Sequence, residues 1–358
     1  MHKRLFIPGP VEVRPEVLQK MASPMIGHRS KDASALQGRI SAKMRTLWST
    51  QHEILLSTSS GSGLMEGAVR SCTARRAAVF SVGAFGKRWF DIASNNNVPA
   101  DLFEVEWSRA NTPDMIDEVL SSGKYDLITI THNETSTGVM NPVQDIAAVV
   151  KSHPEVVYCL DTVSSTGGTP IHVDDLGVDI CITSTQKALG LPPGMAVCTF
   201  SQKAIERAKE VPFRGYYLDL LQLYEYIRNK DHQYPSTPSL SHMYALDFQL
   251  ERILTEGLEK RCERHRQMAE YVRSWARKYF ALFADEHYLS DTLTAITNNR
   301  NIDVADLNRQ LGERGFQISN GYGKMKDKTF RIAHMADHTL EDIQELLGHI
   351  EDILQLGS

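Results

Sequence analysis

The sequence predicts an α/β fold, with a large domain on a mostly parallel sheet and a smaller C-terminal α+β domain. Three observations carry this. Short apolar runs alternate with helical patterns from about residue 35 to residue 250, which marks βαβ units. A long charged helical tract follows, roughly Leu240 to Phe283. The tail then returns to short strands and two helices.

In order, residues 1–15 carry Pro8, Gly9, Pro10 and Pro15, which oppose helix and give an extended segment. "EILLST" reads as a strand before the helix "SGSGLMEGAVRSCTA", and "AAVFSVG" before "AFGKRWFDIASNN". "YDLITITHN" precedes the helix "NPVQDIAAVVKSH". Three more strands follow, "VVYCLDTV", "VDICITS" and "GMAVCTFS". In the tail, "DTLTAITN", "FQISNG" and "TFRIAHM" are strands. "DVADLNRQLGERG" is a helix stopped at Gly315, and "TLEDIQELLGHIEDIL" a helix opened by Thr339. The expected divisions are 1–15 (extended segment), 16–250 (large domain) and 251–358 (small domain).

The totals exclude several classes. A net charge of −5 over 358 residues gives no basic face for nucleic acid or an anionic membrane. No run approaches the ~20 apolar residues that span a bilayer. "MHKRLFIPGPVEVRP" lacks an apolar signal core, so a cytoplasmic chain is expected. Cys72, Cys159, Cys181, Cys198 and Cys262 show no CxxC spacing and read as small buried hydrophobes. No metal site is expected. His132 belongs to no HExxH motif, and His334 and His338, four apart, have no further ligand nearby.

The chemistry lies at strand ends, where a parallel sheet binds its ligands. "TSSGSGLMEGA" leaves a strand and opens a helix, offering backbone N–H groups and a helix dipole to an anion. It is neither a P-loop nor a GxGxxG motif. Asp161 ends "VVYCLD", as a ligand-facing carboxylate or as a turn cap. Lys187 follows "VDICITS" and precedes the stiff turn "GLPPG". A lysine there is ordinarily a solvated surface residue. An anion cradle, a carboxylate and an amine on one crevice meet the needs of pyridoxal 5′-phosphate. Asp161 would keep its ring nitrogen protonated, and Lys187 would form the Schiff base and act as general base.

Motifs along nearly the whole chain then align with one family. They are "PGPVEV" at Pro8, "GHRS" at Gly27, "SGSGLMEG" at Ser60, "GAFGKRW" at Gly83, "HNETSTGVMNP" at His132, "DTVSSTGGTP" at Asp161, "STQKALGLPPG" at Ser184, "YPSTPS" at Tyr234 and "FRIAHM" at Phe330. In their order and approximate spacing the chain resembles the class V aminotransferases of fold type I, in the alanine–glyoxylate / serine–pyruvate branch.

The resemblance implies a seven-stranded large-domain sheet and a set of roles. Ser62, Gly63 and Leu64 would cradle the phosphate, with Gln186 adding a contact. Leu64 stands where some glyoxylate-using relatives have histidine. Phe85 would stack on one face of the pyridine and Val163 on the other. Thr135 would donate to the phenolic oxygen or the pyridine region. Tyr234 and Thr237 would reach the phosphate from a neighbouring subunit, making the chain a homodimer. Arg331 would grip the substrate α-carboxylate, and Gly9 would line the entrance. The implied reaction is ping-pong transamination between alanine or serine and glyoxylate or pyruvate. The alternatives are a 2-aminoethylphosphonate–pyruvate transaminase using Arg29, Arg331 or Lys324 for the extra charge, a cysteine desulfurase using Cys262, and a catalytically silent subunit.

Overall fold

The computed structural model describes residues 2–357. In chain order the elements that frame the site are β1 (Arg4–Phe6), α1 (Pro15–Met21), α2 (Lys31–Trp48), β2 (Glu53–Ser57), α3 (Gly61–Cys72), β3 (Ala77–Ser81), α4 (Ala84–Asn95), β4 (Ala100–Glu104) and β5 (Leu127–Thr131). Then come the short β6 (Asn133–Glu134) and β7 (Val139–Met140), and β8 (Val157–Asp161), β9 (Ile180–Ser184) and β10 (Ala196–Phe200). The tail supplies β11 (Ala281–Leu282), β12 (Leu293–Thr297), β13 (Phe316–Asn320) and β14 (Thr329–Ala333).

Seven strands form the large sheet in the order β2-β10-β9-β8-β5-β3-β4. Only β10 runs against its neighbours. Apart from the edge strand β4, these strands are largely apolar because both faces are covered. Ile54, Phe80, Ile128, Tyr158 and Val197 pack on one side. Leu55, Val79, Leu127, Cys159 and Cys198 pack on the other.

Three features depart from the sequence pattern. The strand β4 has no apolar run, because it is a half-exposed edge strand paired only with β3. The charged tract is two helices, Leu240–Glu256 and Leu258–Tyr279, separated at Gly257 with φ +88°. The extended N-terminus contributes β1, which pairs in parallel with β13. The smaller sheet therefore has the order β1-β13-β14-β12-β11. Phe6, Val272, Leu311, Phe330 and Leu346 share its core. A capping box closes the start of the last helix, Leu340–Leu354, with Thr339 and Asp342 bonded reciprocally.

All five cysteines are free and buried. Among the described residues no helix is long and apolar enough to cross a membrane.

Candidate active site

The carboxyl ends of β2, β3, β5, β8 and β9 open on one cavity of about 200 Å³. It gathers Ser62, Phe85, Thr135, Asp161, Val163, Gln186 and Lys187 from five separate stretches of chain.

Lys187 sits just past β9. Its turn is fixed by bonds from Gly190 N–H to the Lys187 carbonyl (2.8 Å) and from Thr185 Oγ1 to the Pro192 carbonyl (2.7 Å). The Lys187 ammonium donates to the carbonyl of Pro8. A Cβ on Gly9 would lie 2.7 Å from Nζ, so only glycine fits against the amine, and its φ of +111° also demands glycine. Burial lowers the Lys187 pKa to about 8, and the positive charges of Arg331 and Arg88 push the same way. Asp161 is pushed up to about 7 by burial, although Val163 N–H donates to it at 2.9 Å.

The start of α3 forms the opposite wall. Ser62 faces the cavity and its hydroxyl accepts from Arg88 at 3.2 Å. A Cβ on Gly61 would meet Val163 at 2.8 Å, so the backbone comes close only because the residue is glycine. Gly63 N–H is turned back to the Ser60 carbonyl (2.9 Å), and the Leu64 side chain is buried in the core. Neither lines the cavity, so of the three expected cradle residues only Ser62 does. Ser184 Oγ and Gln186 Oε1 are buried without a hydrogen-bond partner.

Phe85 stands on the first turn of α4, which a buried carboxylate anchors. Glu134 accepts from Phe85 N–H (3.0 Å), Gly86 N–H (2.9 Å) and Ser136 Oγ (2.6 Å). Thr135 pairs its hydroxyl with Ser164. Arg331, on β14, donates to the carbonyls of Thr135 (3.0 Å) and Asn320 (3.1 Å). Burial lowers its pKa to about 10.

Tyr234 and Thr237 lie outside the cavity. The Tyr234 ring is buried in its own chain, and its hydroxyl accepts from Thr58 N–H at 3.1 Å, just ahead of the α3 cradle. Thr237 is exposed. Arg29 is held by the carbonyls of Tyr234 and Pro235, and Lys324 lies 3.8 Å from the Trp107 ring centroid. Neither lines the cavity.

Sequence reasoning missed three residues. Arg88 lines the cavity three residues after Phe85, a spacing that places both on one helix face and was legible in "AFGKR". Glu134 sat inside a quoted motif without a role. Arg261 gave no signal, because its partners are mostly carbonyls. Its buried guanidinium donates to Gly167 (2.8 Å), Ala188 (2.9 Å) and Ala336 (3.1 Å), and to the carboxylates of Glu256 (2.8 Å) and Asp337 (3.0 Å). One side chain thus ties together the segments that follow Asp161, Lys187 and Arg331.

The histidines have structural partners. His132 bonds Ser165 (3.0 Å), His334 bonds Thr294 and the Asp291 carbonyl, and His338 stacks on Phe6.

The family model described as "Aminotransferase class-V" matches residues 23–346. An uncharacterized aminotransferase of Methanocaldococcus jannaschii is 38% identical, over 98% of this chain and 92% of its own. A soluble hydrogenase small subunit of Synechococcus sp. is 30% identical, over 99% and 93%. The L-aspartate–glyoxylate aminotransferase of Paracoccus denitrificans is 32% identical, over 96% and 88%. The crystal structure of alanine–glyoxylate aminotransferase from Nostoc sp. superposes with a TM-score of 0.93 at 26% identity, over 99% of this chain and 96% of that one.

Proposed function

Since the chain belongs to the class V aminotransferases, which depend on pyridoxal 5′-phosphate, we propose that it moves an amino group from alanine or serine to glyoxylate or pyruvate in two half-reactions. The observation that carries this is one cavity holding an amine lowered to about 8, a buried carboxyl and, at its edge, a guanidinium.

The residues fit the cofactor. Ser184 Oγ, a hydroxyl able to donate, is buried without a partner, and the glycine-lined start of α3 leaves room for an anion. The cofactor supplies an aldehyde that joins amines and a ring that accepts an electron pair. Lys187 anchors it when no substrate is present. In turnover the freed amine takes the substrate α-proton, and a pKa near working pH suits that task. Asp161 holds a proton at the ring nitrogen. Phe85 and Val163 clamp the ring, and Thr135 donates beside it. Ser62 and the side-chain N–H of Gln186 would hold the phosphate with the Leu64 backbone, while the Gly63 N–H stays with Ser60. Arg331 binds the α-carboxylate through its planar fork, and Gly9 lets the entrance close on the amine.

The assembly we propose is a homodimer. Phe213 and Tyr216 are 94% and 77% exposed, which is unusual for large aromatic residues in an isolated chain. Tyr217 beside them donates to the Thr58 carbonyl at 3.2 Å, on the residue whose N–H meets Tyr234. A second copy on this face would lie at the phosphate end, where Thr237 is free to reach it. The buried free cysteines suit a reducing compartment such as the cytoplasm.

Other readings draw less support. Arg29 and Lys324 stand away from the cavity that a phosphonate would need them in. The Cys262 thiol is buried and pushed up to about 11, a poor nucleophile for desulfuration. The hydrogenase name of one relative keeps a silent subunit in view, but such a subunit has no need of Lys187 and Asp161. The test is the absorbance of the loaded protein on adding L-alanine or L-serine, then glyoxylate. The yellow band should fade and return. A band that ignores every amino acid rejects the transaminase.

A further inference from the structure

Arg88 is a cation at the cavity that the roles above leave without an anion. Its guanidinium stacks on Phe85, 4.5 Å from the ring centroid, and donates to Ser62 Oγ (3.2 Å) and the Tyr322 hydroxyl (3.3 Å). Arg331 donates only to carbonyls and lies 5.6 Å from the centroid of the same Tyr322 ring. Among the described residues neither guanidinium pairs with a carboxylate. The Tyr322 ring also leans on Phe85 at 5.3 Å, so it stands between the two cations.

Two unpaired guanidiniums one tyrosine ring apart form a receptor for two anionic groups on one small molecule. Resting on the reading above, we propose that Arg88 binds the distal carboxylate of a dicarboxylic amino donor such as L-aspartate, while Arg331 holds its α-carboxylate. The oxyanion at Arg88 has two available sources, the donor's carboxylate and the cofactor's phosphate. The phosphate already has the start of α3, the Ser62 hydroxyl and the unpartnered Ser184 hydroxyl. Tyr322 and Arg331 both come from the small sheet's β13–β14 connection and β14, and Tyr322 joins Arg88 to that side. These contacts favour the carboxylate.

The test compares the loaded wild type with Arg88→Met and Arg88→Lys. The expected wild type accepts L-aspartate as a donor to glyoxylate in addition to L-alanine. Arg88→Met should lower the aspartate value by about tenfold or more, the weight of a charge-assisted hydrogen bond. The alanine value should fall clearly less than the aspartate value, because Arg88 also supports Phe85 and the Lys187 pKa whatever the donor; the dissociation constant for pyridoxal phosphate should stay within about twofold, and Arg88→Lys should restore part of the aspartate loss. Succinate, which cannot react, should raise the Tm of the wild type and not that of Arg88→Met. Weakened pyridoxal phosphate binding in Arg88→Met assigns the guanidinium to the phosphate and overturns the proposal. An equal loss for both donors, or a wild type that refuses aspartate while using alanine, also overturns it. If no amino acid reacts while succinate still protects through Arg88, the transaminase reading fails and the dicarboxylate site stands.

Discussion

Lys187 and Asp161 are perturbed in opposite directions by the same cause, burial. The positive charge of Arg331 disfavours the protonated amine, so removing it should raise the Lys187 pKa. The rate at which the cofactor-free protein captures pyridoxal phosphate should rise with pH around 8, and in Arg331→Met the midpoint should move upward. Stopped-flow absorbance across pH 6.5–9.5 reads both, and an unmoved midpoint removes Arg331 as a cause. Replacing Lys187 with alanine should cut turnover by about a hundredfold or more, since it removes the general base; single-turnover kinetics with alanine would show it. These two residues were legible because each follows an apolar strand, and in a parallel sheet strand ends are where ligands bind. Arg261 was not, because a chain of side chains carries no mark of which carbonyls will meet it.

Between elements, Arg261 acts as a shared strut. Arg261→Met would strip the guanidinium from the Gly167 and Ala188 carbonyls and one partner from Glu256 and Asp337, which keep Arg264 and Arg252. Removing one member of a buried charge network costs about 3–5 kcal/mol, which a urea titration would read as a lower midpoint. The capping box is a milder case. Thr339→Ala should cost about 1 kcal/mol and leave turnover unchanged. At Gly257 an added Cβ meets nothing within 4 Å, so Gly257→Ala isolates the backbone strain of φ +88°, about 1–3 kcal/mol. The strands whose both faces are covered were readable as apolar runs, and Thr339 as a helix start. The edge strand β4 was hidden because half its surface faces water. The break at Gly257 was hidden because helical periodicity continues on both sides of it.

For the molecule as a whole, the proposed homodimer gives a test in mass. Analytical ultracentrifugation should report about twice 40.2 kDa, and Phe213→Glu should shift the population toward one chain. A single-chain mass for the wild type would withdraw the proposed cross-subunit role of Thr237. The α/β architecture with a mostly parallel large sheet was legible from the alternation of strands and helices. The placement of the first strand was not, since parallel pairing between segments so far apart in the chain leaves no local pattern.

That first strand has a bearing on how the protein is made. Arg4 pairs opposite Phe316, so β1 finds no neighbour until β13 has been made. Pro8 and Gly9, which lie against the Lys187 amine, hang from that strand. On the ribosome the large sheet can assemble while this wall of the reactive lysine is still missing, and closing so long a loop is slow. A nascent chain released before β13 would therefore carry an unguarded amine, and the guarded site waits on a strand far along the chain.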